Sequence, residues 1–377
     1  MAGSQTIGIV GGGQLGRMLT LAALPLGFKV VVVNPSPNSP AAQAGAQEII
    51  GDLYDQASLE QLSKLADFIT VEIEHLDADA LEKIAANGTP VNPAPQTIRL
   101  IQDKFKQKEF LQAAGIPVAP FAGIEGEEEA HRVLHEFGHA IILKTRHGAY
   151  DGRGNALVKS PQDLKEALAR FEGKQLYGEQ IIPFRKELAV MVARGMNGEI
   201  QVYPIVETVH QRNICLETYT PAAISNTELT RARKVALQVA QHLEGAGVFG
   251  IEMFLTDDGK VLVNEIAPRV HNSGHYTMDA CRTSQFEQHV RAVTGLPLGS
   301  THMVAPAAVM INVLGERDGP TELTGLDAAL KVPHTSVHMY GKSPTKIDRK
   351  MGHITATGDT LQQARTRARQ ARKKLQI

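Results

Sequence analysis

Apolar positions follow two rhythms along this chain, and the rhythm changes partway. In the N-terminal part, short apolar runs alternate with amphipathic ones. Thr6-Ile-Gly-Ile-Val10 reads as a buried strand, 17–24 as a helix, and Lys29-Val-Val-Val-Val33 as a second buried strand. Helical patterns follow over 59–66 and 78–86, with a strand over 68–73 between them. Strands alternating with helices predict a parallel sheet, whose ligands gather at the carboxyl ends of its strands. Pro90-Val-Asn-Pro-Ala-Pro95 punctuates the chain, and a single helix is predicted over 97–114. Its charged face includes Asp103, Lys104, Lys106 and Lys108, most of it read as solvated surface, and Gly115-Ile-Pro117 ends it.

Further on, the texture is that of antiparallel strands with covering helices. Strands are expected over 140–143, 156–158, 177–182, 188–192 and 201–209, with a tight turn at Asn197-Gly198. Helices are expected over 127–137, from Ser160-Pro161 to about 171, and over 229–243. The C-terminal part predicts a helix over 284–293, strands over 307–314, 337–340 and 353–356, and a last helix opened by Gly358-Asp359.

One stretch has a pattern that folding alone does not explain. Two apolar runs flank Asp258-Gly259, the strongest short hairpin signal available to a sequence. If those two residues make the turn, Asp257 pairs with Lys260, and counting outward sets Glu252 opposite Glu265. Cross-strand neighbours lie about 5 Å apart at Cβ, where like charges repel. Either one glutamate points to solvent, or the pair holds a hard divalent cation such as Mg²⁺. Arg269, His271 and Asn272 follow on a loop broken by Pro and Gly, where functional side chains concentrate.

Other stretches carry candidate chemistry. Gly11-Gly-Gly-Gln-Leu-Gly16 sits between a strand and a helix and matches the dinucleotide-binding fingerprint, which leaves a nicotinamide-dependent oxidoreductase as a rival reading. The acid expected at the end of the second strand is missing, for Asn34 and Pro35 stand there, so the turn reads as a phosphate or substrate edge at a helix N-terminus. Glu72 and Glu74 share a face by period two, either a substrate wall or a solvated edge. Lys144 leads into a glycine-rich loop over 145–155 between two strands. Such a loop can lay backbone amides over phosphates, although it is no P-loop and a plain hairpin loop is the alternative. Lys342 and Arg349-Lys350 flank a turn and either clasp an anion or are merely solvated. His271 and His275 have zinc-helix spacing, but Asn272-Ser-Gly between them breaks a helix, so zinc is set aside.

Composition narrows the classes. The chain has 377 residues, 43% hydrophobic and 21% charged, as in ordinary soluble globular proteins of two or three domains. A formal net charge of −1 argues against general attraction to nucleic acid or anionic membrane. Cys215 and Cys281 offer neither a disulfide framework nor metal spacing, and fit a reducing cytoplasm. No export signal and no apolar run approaching a membrane span is visible.

Taken together, the order of these motifs resembles the ATP-grasp superfamily of carboxylate–amine ligases. Gly11-Gly-Gly-Gln-Leu-Gly-Arg-Met18, Gly148-Ala-Tyr-Asp-Gly-Arg-Gly154 and Asn264-Glu-Ile-Ala-Pro-Arg-Val-His-Asn-Ser-Gly-His275 look like the branch that carboxylates aminoimidazole ribonucleotide in purine synthesis. The likeness runs nearly end to end, and the glycine loop departs from the branch's commoner residues at Ala149, Arg153 and Asn155. The fold it implies is α/β and α+β. An open parallel domain over 1–98 precedes an ATP-grasp domain over 99–300 with a lid over about 121–184, and a small β-rich domain spans 301–377.

What the resemblance implies for the site follows residue by residue. Lys104 and Lys144 would contact ATP phosphates, with the loop Ala149, Tyr150, Asp151, Gly152, Arg153, Gly154 and Asn155 closing over them. Glu179, Gln180, Ile181 and Ile182 would hold the adenine edge, Glu187 the ribose, and His210 the nucleotide further. Glu252 and Glu265, with Asn264, would hold Mg²⁺, as a pair of ions. Gln14, Leu15, Glu72, Arg269, His271, Asn272, Lys342 and Arg349 would surround the aminoimidazole ribonucleotide. Bicarbonate would be the co-substrate, phosphorylated by ATP to carboxyphosphate and captured by the amine inside a lid that excludes water. Arg269 would hold that intermediate beside Tyr150, and Asp151 or His271 would take the amine proton. A cytoplasmic homodimer without nucleic-acid or membrane partners completes the expectation. Rivals inside the superfamily differ only in the acceptor pocket; a non-catalytic nucleotide-binding regulator is disfavoured because binding alone needs no paired metal carboxylates.

Overall fold

Ile7 to Val10 and Val30 to Val33 show no polar alternation because helices cover both faces of the sheet they build. In a computed structural model, which describes residues 5–148 and 154–377, that sheet is wholly parallel. Strands β1 (Thr6–Val10), β2 (Lys29–Asn34), β3 (Gln47–Ile50) and β4 (Phe68–Val71) run in the order β3-β2-β1-β4. Ile7, Ile9, Val30 and Val32 face one core with Leu15, Phe286 and Val290, while Val31, Val33, Ile69 and Val71 face another with Leu59, Leu81 and Ile98.

A second sheet stands apart with its own core. Strands β5 (Phe121–Ile124), β6 (Ile141–Thr145), β7 (Asn155–Val158) and β8 (Leu176–Gln180) pair antiparallel in the order β5-β8-β6-β7. The helices Glu127–Glu136 and Pro161–Arg170 bury Val133, Leu134, Leu164 and Ala167 against it. Only 181–183 separate β8 from the next strand, in the third sheet.

That third sheet contains β9 (Phe184–Arg194), β10 (Ile200–Val202), β11 (Val206–Gln211), β12 (Ile214–Thr220), β13 (Gly247–Thr256), β14 (Val261–Ala267), β15 (Ala307–Leu314), β16 (Thr335–Met339) and β17 (Lys350–Gly358). Its order is β14-β13-β9-β11-β12-β15-β17-β16, with β10 on β9. Because β12 pairs with β15, the C-terminal strands extend this sheet. The helix Asn226–His242 seals one side of it with Ala232, Val235, Ala236 and Val239, over Phe249, Ile251 and Leu188.

Three local outcomes differ from the sequence reading. The strand expected over 201–209 is split, since Pro204 has no amide to give a ladder. The helix expected over 97–114 is two helices, Pro95–Gln102 and Lys104–Ala113. Asp103 between them is extended (φ −99°, ψ 102°), and its carboxylate accepts from the amides of Phe105 and Lys106 at 3.0 and 3.2 Å. Asp in this role starts a helix rather than continuing one.

The third outcome concerns the Asp258-Gly259 turn. Thr256, not Asp257, bonds to Lys260, so the loop has three residues, with Gly259 left-handed (φ +76°) in the position that G1-bulge hairpins reserve for glycine. From that turn Leu255 pairs with Val261 and Met253 with Val263, one step out of the expected register. A bulge at Asn264 then adds one residue to β14, and Glu252 falls opposite Glu265 after all. Two one-residue departures cancel.

Phe249 is fully buried in the middle of β13. Phe249→Ala is expected to lower stability by roughly 3–5 kcal/mol, read as a fall in the urea midpoint at unchanged slope.

Candidate active site

The bulge in β14 shapes the site. A regular strand would send Asn264 and Glu265 to opposite faces; the extra residue lets both line one cleft, with Lys104, Lys108, Lys144 and Asn155. The cleft measures about 350 Å³ including its open mouth. It lies between the second sheet and the hairpin β13–β14, and its walls are charged. Lys104 Nζ stands 2.7 Å from Glu265 Oε2. Burial works against the lysine's charge, but Glu265, with Glu74 and Glu252 behind it, outweighs that and raises its pKa.

Glu252 has the opposite problem. Burial and the facing Glu265 push its pKa up, against the pull of His210 and Lys104. A carboxylate held uncomfortably beside a second one is what a cation relieves, so this pair fits Mg²⁺ on its own geometry. His271 Nε2 lies 3.6 Å from Glu252 Oε1, and His210 forms a close ion pair with Glu187. Burial lowers the His210 pKa, but Glu187 more than compensates, so it ends raised.

Deeper in, Glu179 is 4% exposed between two lysines, Lys144 Nζ at 3.1 Å and Lys108 Nζ at 3.4 Å. Lys108 is no surface residue, in contrast to the sequence reading. Its ammonium also donates to the Val263 carbonyl at 3.2 Å, and burial, outweighing Glu179, brings its pKa down to about 8. The break at Asp103 resets the helical phase and turns this residue inward. Asp103 is in turn gripped by Arg146, whose carbonyl accepts from the Lys104 amide at 2.9 Å.

The other wall comes from the N-terminal sheet. Glu72, just past β4, accepts from the amides of Gly13 at 2.5 Å and Gly16 at 2.6 Å. A Cβ on Gly11 or Gly13 would lie 2.4 or 2.6 Å from the Glu72 side chain, which explains the small residues there. The position where a dinucleotide pyrophosphate would sit is therefore taken by the chain's own carboxylate, and the nicotinamide reading falls. Burial raises the Glu72 pKa despite the amides of Gly16 and Gly13 and the charges of Lys342 and Arg269. Glu74 faces Arg269 in a two-pronged pair at 2.6 and 3.0 Å. Burial opposes ionisation of Glu74, but Arg269 wins and its pKa falls to about 2. His271 is neutral, with its pKa brought to about 3 by burial and then by Arg269 and Lys350.

The remaining expected residues are placed as follows. Gln14 opens the helix Gln14–Ala23 half-buried, while the Leu15 side chain is in the core, leaving only its backbone to the cleft side. Asn272 is buried, and its amide is exchanged with that of Asn312 at 2.9 and 2.6 Å, so it fastens the loop to β15. Lys342 lies over the Tyr340 ring at 5.7 Å, and Arg349 donates to the Pro344 carbonyl at 2.6 Å. Gln180 ends β8 and gives its amide to Pro120, and Ile181 and Ile182 lie in the short connection to β9. Gly154 bonds through its carbonyl to the Thr145 amide. Ala149, Tyr150, Asp151, Gly152 and Arg153 lie outside the described residues.

Sequence reasoning passed over Lys108, Gln107, Asp103, Arg146, Gln285 and the partnership of Glu74. Gln107 exchanges hydrogen bonds with the backbone of Ile266, and Gln285 clamps the backbone of His271 on both sides at 2.9 and 2.7 Å. Only the aspartate inside a lysine-rich helical pattern signalled any of this.

Comparisons with known proteins agree with this geometry. An ATP-grasp domain model matches residues 109–286, a ribonucleotide synthetase preATP-grasp domain matches 4–102, and a phosphoribosylaminoimidazole carboxylase C-terminal domain matches 308–367. The chain is thus an enzyme of the ATP-grasp ligase class. The N5-carboxyaminoimidazole ribonucleotide synthase of Bacillus subtilis is 39% identical over 93% of this chain and 90% of its own length. The crystal structure of the corresponding synthetase from Thermotoga maritima is 44% identical, covers 99% of both chains and has a TM-score of 0.90. An Aspergillus clavatus synthase structure in complex with ADP and 5-aminoimidazole ribonucleotide is 38% identical over 98% of both chains, with a TM-score of 0.91. The phosphoribosylaminoimidazole carboxylase of Ogataea methanolica is 46% identical over 95% of this chain, which spans about two thirds (67%) of that longer protein. The chain belongs to the N5-carboxyaminoimidazole ribonucleotide synthetase family.

Lys108 yields a stability prediction. Its folded pKa of about 8 lies below the ordinary lysine value of 10.5, so the folded state releases this proton first as pH rises. Stability contributed by this group therefore increases between those two values. Compared with Lys108→Met, the native chain should gain up to about 1.4 kcal/mol per pH unit above pH 8, measured as the difference between their denaturation free energies.

Proposed function

We propose that the chain carries out the reaction named for its family, the ATP- and bicarbonate-dependent carboxylation of 5-aminoimidazole ribonucleotide to the N5-carboxy product in purine synthesis. The observation that carries this reading is the convergence of two charged walls. On one, Lys104 is paired to Glu265 opposite Glu252. On the other, Arg269 is locked by Glu74 and stands near Glu72. A phosphorylated acid formed at the first wall has only to meet an amine held at the second.

The chemistry needs little covalent help. A bicarbonate oxygen attacks the γ-phosphorus, ADP leaves, and carboxyphosphate forms; the amine nitrogen then attacks the carbonyl carbon, and phosphate leaves. Lys104 and Lys144 neutralise charge on the transferring phosphoryl group. Glu252, Glu265 and Asn264 would hold Mg²⁺, which would supply further positive charge there. Ile181 and Ile182 present backbone to the adenine, with Glu187 and His210 near the ribose. Arg269, fixed by Glu74, keeps a single orientation from which to hold carboxyphosphate. His271, held neutral with its pKa lowered to about 3 by burial, and Asp151 are the two candidates to take the amine proton.

The division 1–98, 99–300 and 301–377, with the lid about 121–184, is kept as a functional one: substrate side, ATP side and closing wall. A cytoplasmic homodimer is kept on family likeness, and sedimentation of the purified chain checks the dimer. The decisive assay is phosphate release from ATP with bicarbonate and Mg²⁺. Stimulation by 5-aminoimidazole ribonucleotide is expected; stimulation only by another amine or acid would overturn the substrate. Glu265→Gln should leave the fold intact by circular dichroism and lower kcat by roughly 10²–10³-fold.

A further inference from the structure

Behind the substrate loop lies a group of histidines that the carboxylation does not use. His338 on β16 and His353 on β17 are direct cross-strand partners, with rings stacked at 4.6 Å and 20°. Asp279, on the short helix Thr277–Ala280, brings its carboxylate to 3.0 and 3.2 Å from His338 Nε2. Among the described residues, Asp279, His338 and His353 form the one group of three whose ligand atoms all lie within 4.8 Å of one another.

The details go beyond an ion pair. His353 is fully buried, its Nδ1 lies 2.9 Å from the Tyr340 hydroxyl, and its Nε2 has no partner. A buried imidazole nitrogen without a partner costs free energy unless something occupies its lone pair. The Tyr340 hydroxyl on the far nitrogen orients the ring, and in the tautomer with the proton on Nδ1 it acts as an outer-shell acceptor that leaves the Nε2 lone pair to a metal. His275 leans on the His353 ring at 4.9 Å, but it plays another part. The Gln285 amide, fixed by the His271 carbonyl, points its N–H at His275 Nδ1 at 3.0 Å. His275 Nε2 therefore carries the proton and is no ligand.

We propose that Asp279, His338 and His353 form a site for a divalent transition-metal ion of the Zn²⁺ class, with a water in the fourth position. Two imidazoles and one carboxylate are an established donor set for this class, and bonds of about 2.0–2.1 Å place tetrahedral ligands roughly 3.3 Å apart; His338 Nε2 and the Asp279 carboxylate stand at 3.0 and 3.2 Å, and all three groups bring ligand atoms within 4.8 Å of one another. Burial keeps His353 neutral. His338 and Asp279 are 28% and 18% exposed, so the ion has a way in from solvent. The site would tie the helix that continues the substrate loop to the two last strands of the large sheet.

The test uses tag-free full-length protein stripped with chelator, with excess Mg²⁺ present to occupy Glu252 and Glu265. Co²⁺ is titrated in, and its visible ligand-field bands are followed. One equivalent per chain, displaced by Zn²⁺, is expected. His338→Gln and Asp279→Asn should each weaken it at least ten-fold, and Tyr340→Phe by roughly 10–100-fold. His338 is partly exposed and outside the catalytic machinery, so His338→Gln should keep its fold and its kcat. Glu265→Gln should leave the bands unchanged. Absent bands, bands that survive both ligand variants, or bands lost in Glu265→Gln instead would each overturn the proposal.

Discussion

Two carboxylates facing each other across one hairpin are the constraint to which the rest of the site answers. Left alone, Glu252 and Glu265 would repel in a half-buried cleft, and the raised pKa of Glu252 records that cost. The fold does not remove the conflict. It sets Lys104 against one partner and His271 near the other, and keeps the pair open toward the cleft. Arrangements of this kind lower the stability of the empty protein and persist where a ligand restores the balance.

The second level of organisation is ionic and spans the lid. Glu179 on β8 is shared by Lys144 on β6 and Lys108 on the helix Lys104–Ala113, while Asp103 takes Arg146 from just beyond β6. The Glu179–Lys108 and Asp103–Arg146 pairs join the second sheet to the body, while Glu179–Lys144 ties two strands of that sheet together. Such buried pairs add little net stability, since desolvation offsets the attraction, but removing one member leaves the other stranded. Their effect here is geometric: they hold two lysines that line the cleft, Lys108 and Lys144, and one arginine beside them in defined positions.

Much of this was legible in the chain. The parallel sheet followed from uninterrupted Val and Ile runs, and the glutamate pair from the Asp258-Gly259 turn. The agreement over Glu252 and Glu265 nevertheless rested on two compensating errors, because periodicity and turn signals cannot register a bulge at Asn264. Lys108 was misread for a related reason. A continuous helical wheel assigns it to solvent, and only a break at Asp103 turns it inward. The glycine turn at 11–16 looked like an anion site, and it is one, but the anion is Glu72, some 60 residues away in sequence and beyond any local pattern. Pairings such as Arg269 with Glu74 and Asn272 with Asn312 join segments so far apart that no spacing rule reaches them.

The lid's mode of attachment has a mechanical corollary. Its four strands form one uninterrupted insertion, entered after the helix Lys104–Ala113 and left through 181–183 into β9. Its contacts with the helix Lys104–Ala113 and the cap of that helix are both ionic, Glu179 with Lys108 and Arg146 with Asp103, and aromatic, Phe105 lying 5.5 Å from Phe121 and 5.9 Å from Tyr177. The cations along this seam, Lys108, Lys144 and Arg146, are already neutralised by carboxylates of the fold itself, so an anion reaching them meets paired rather than bare charges.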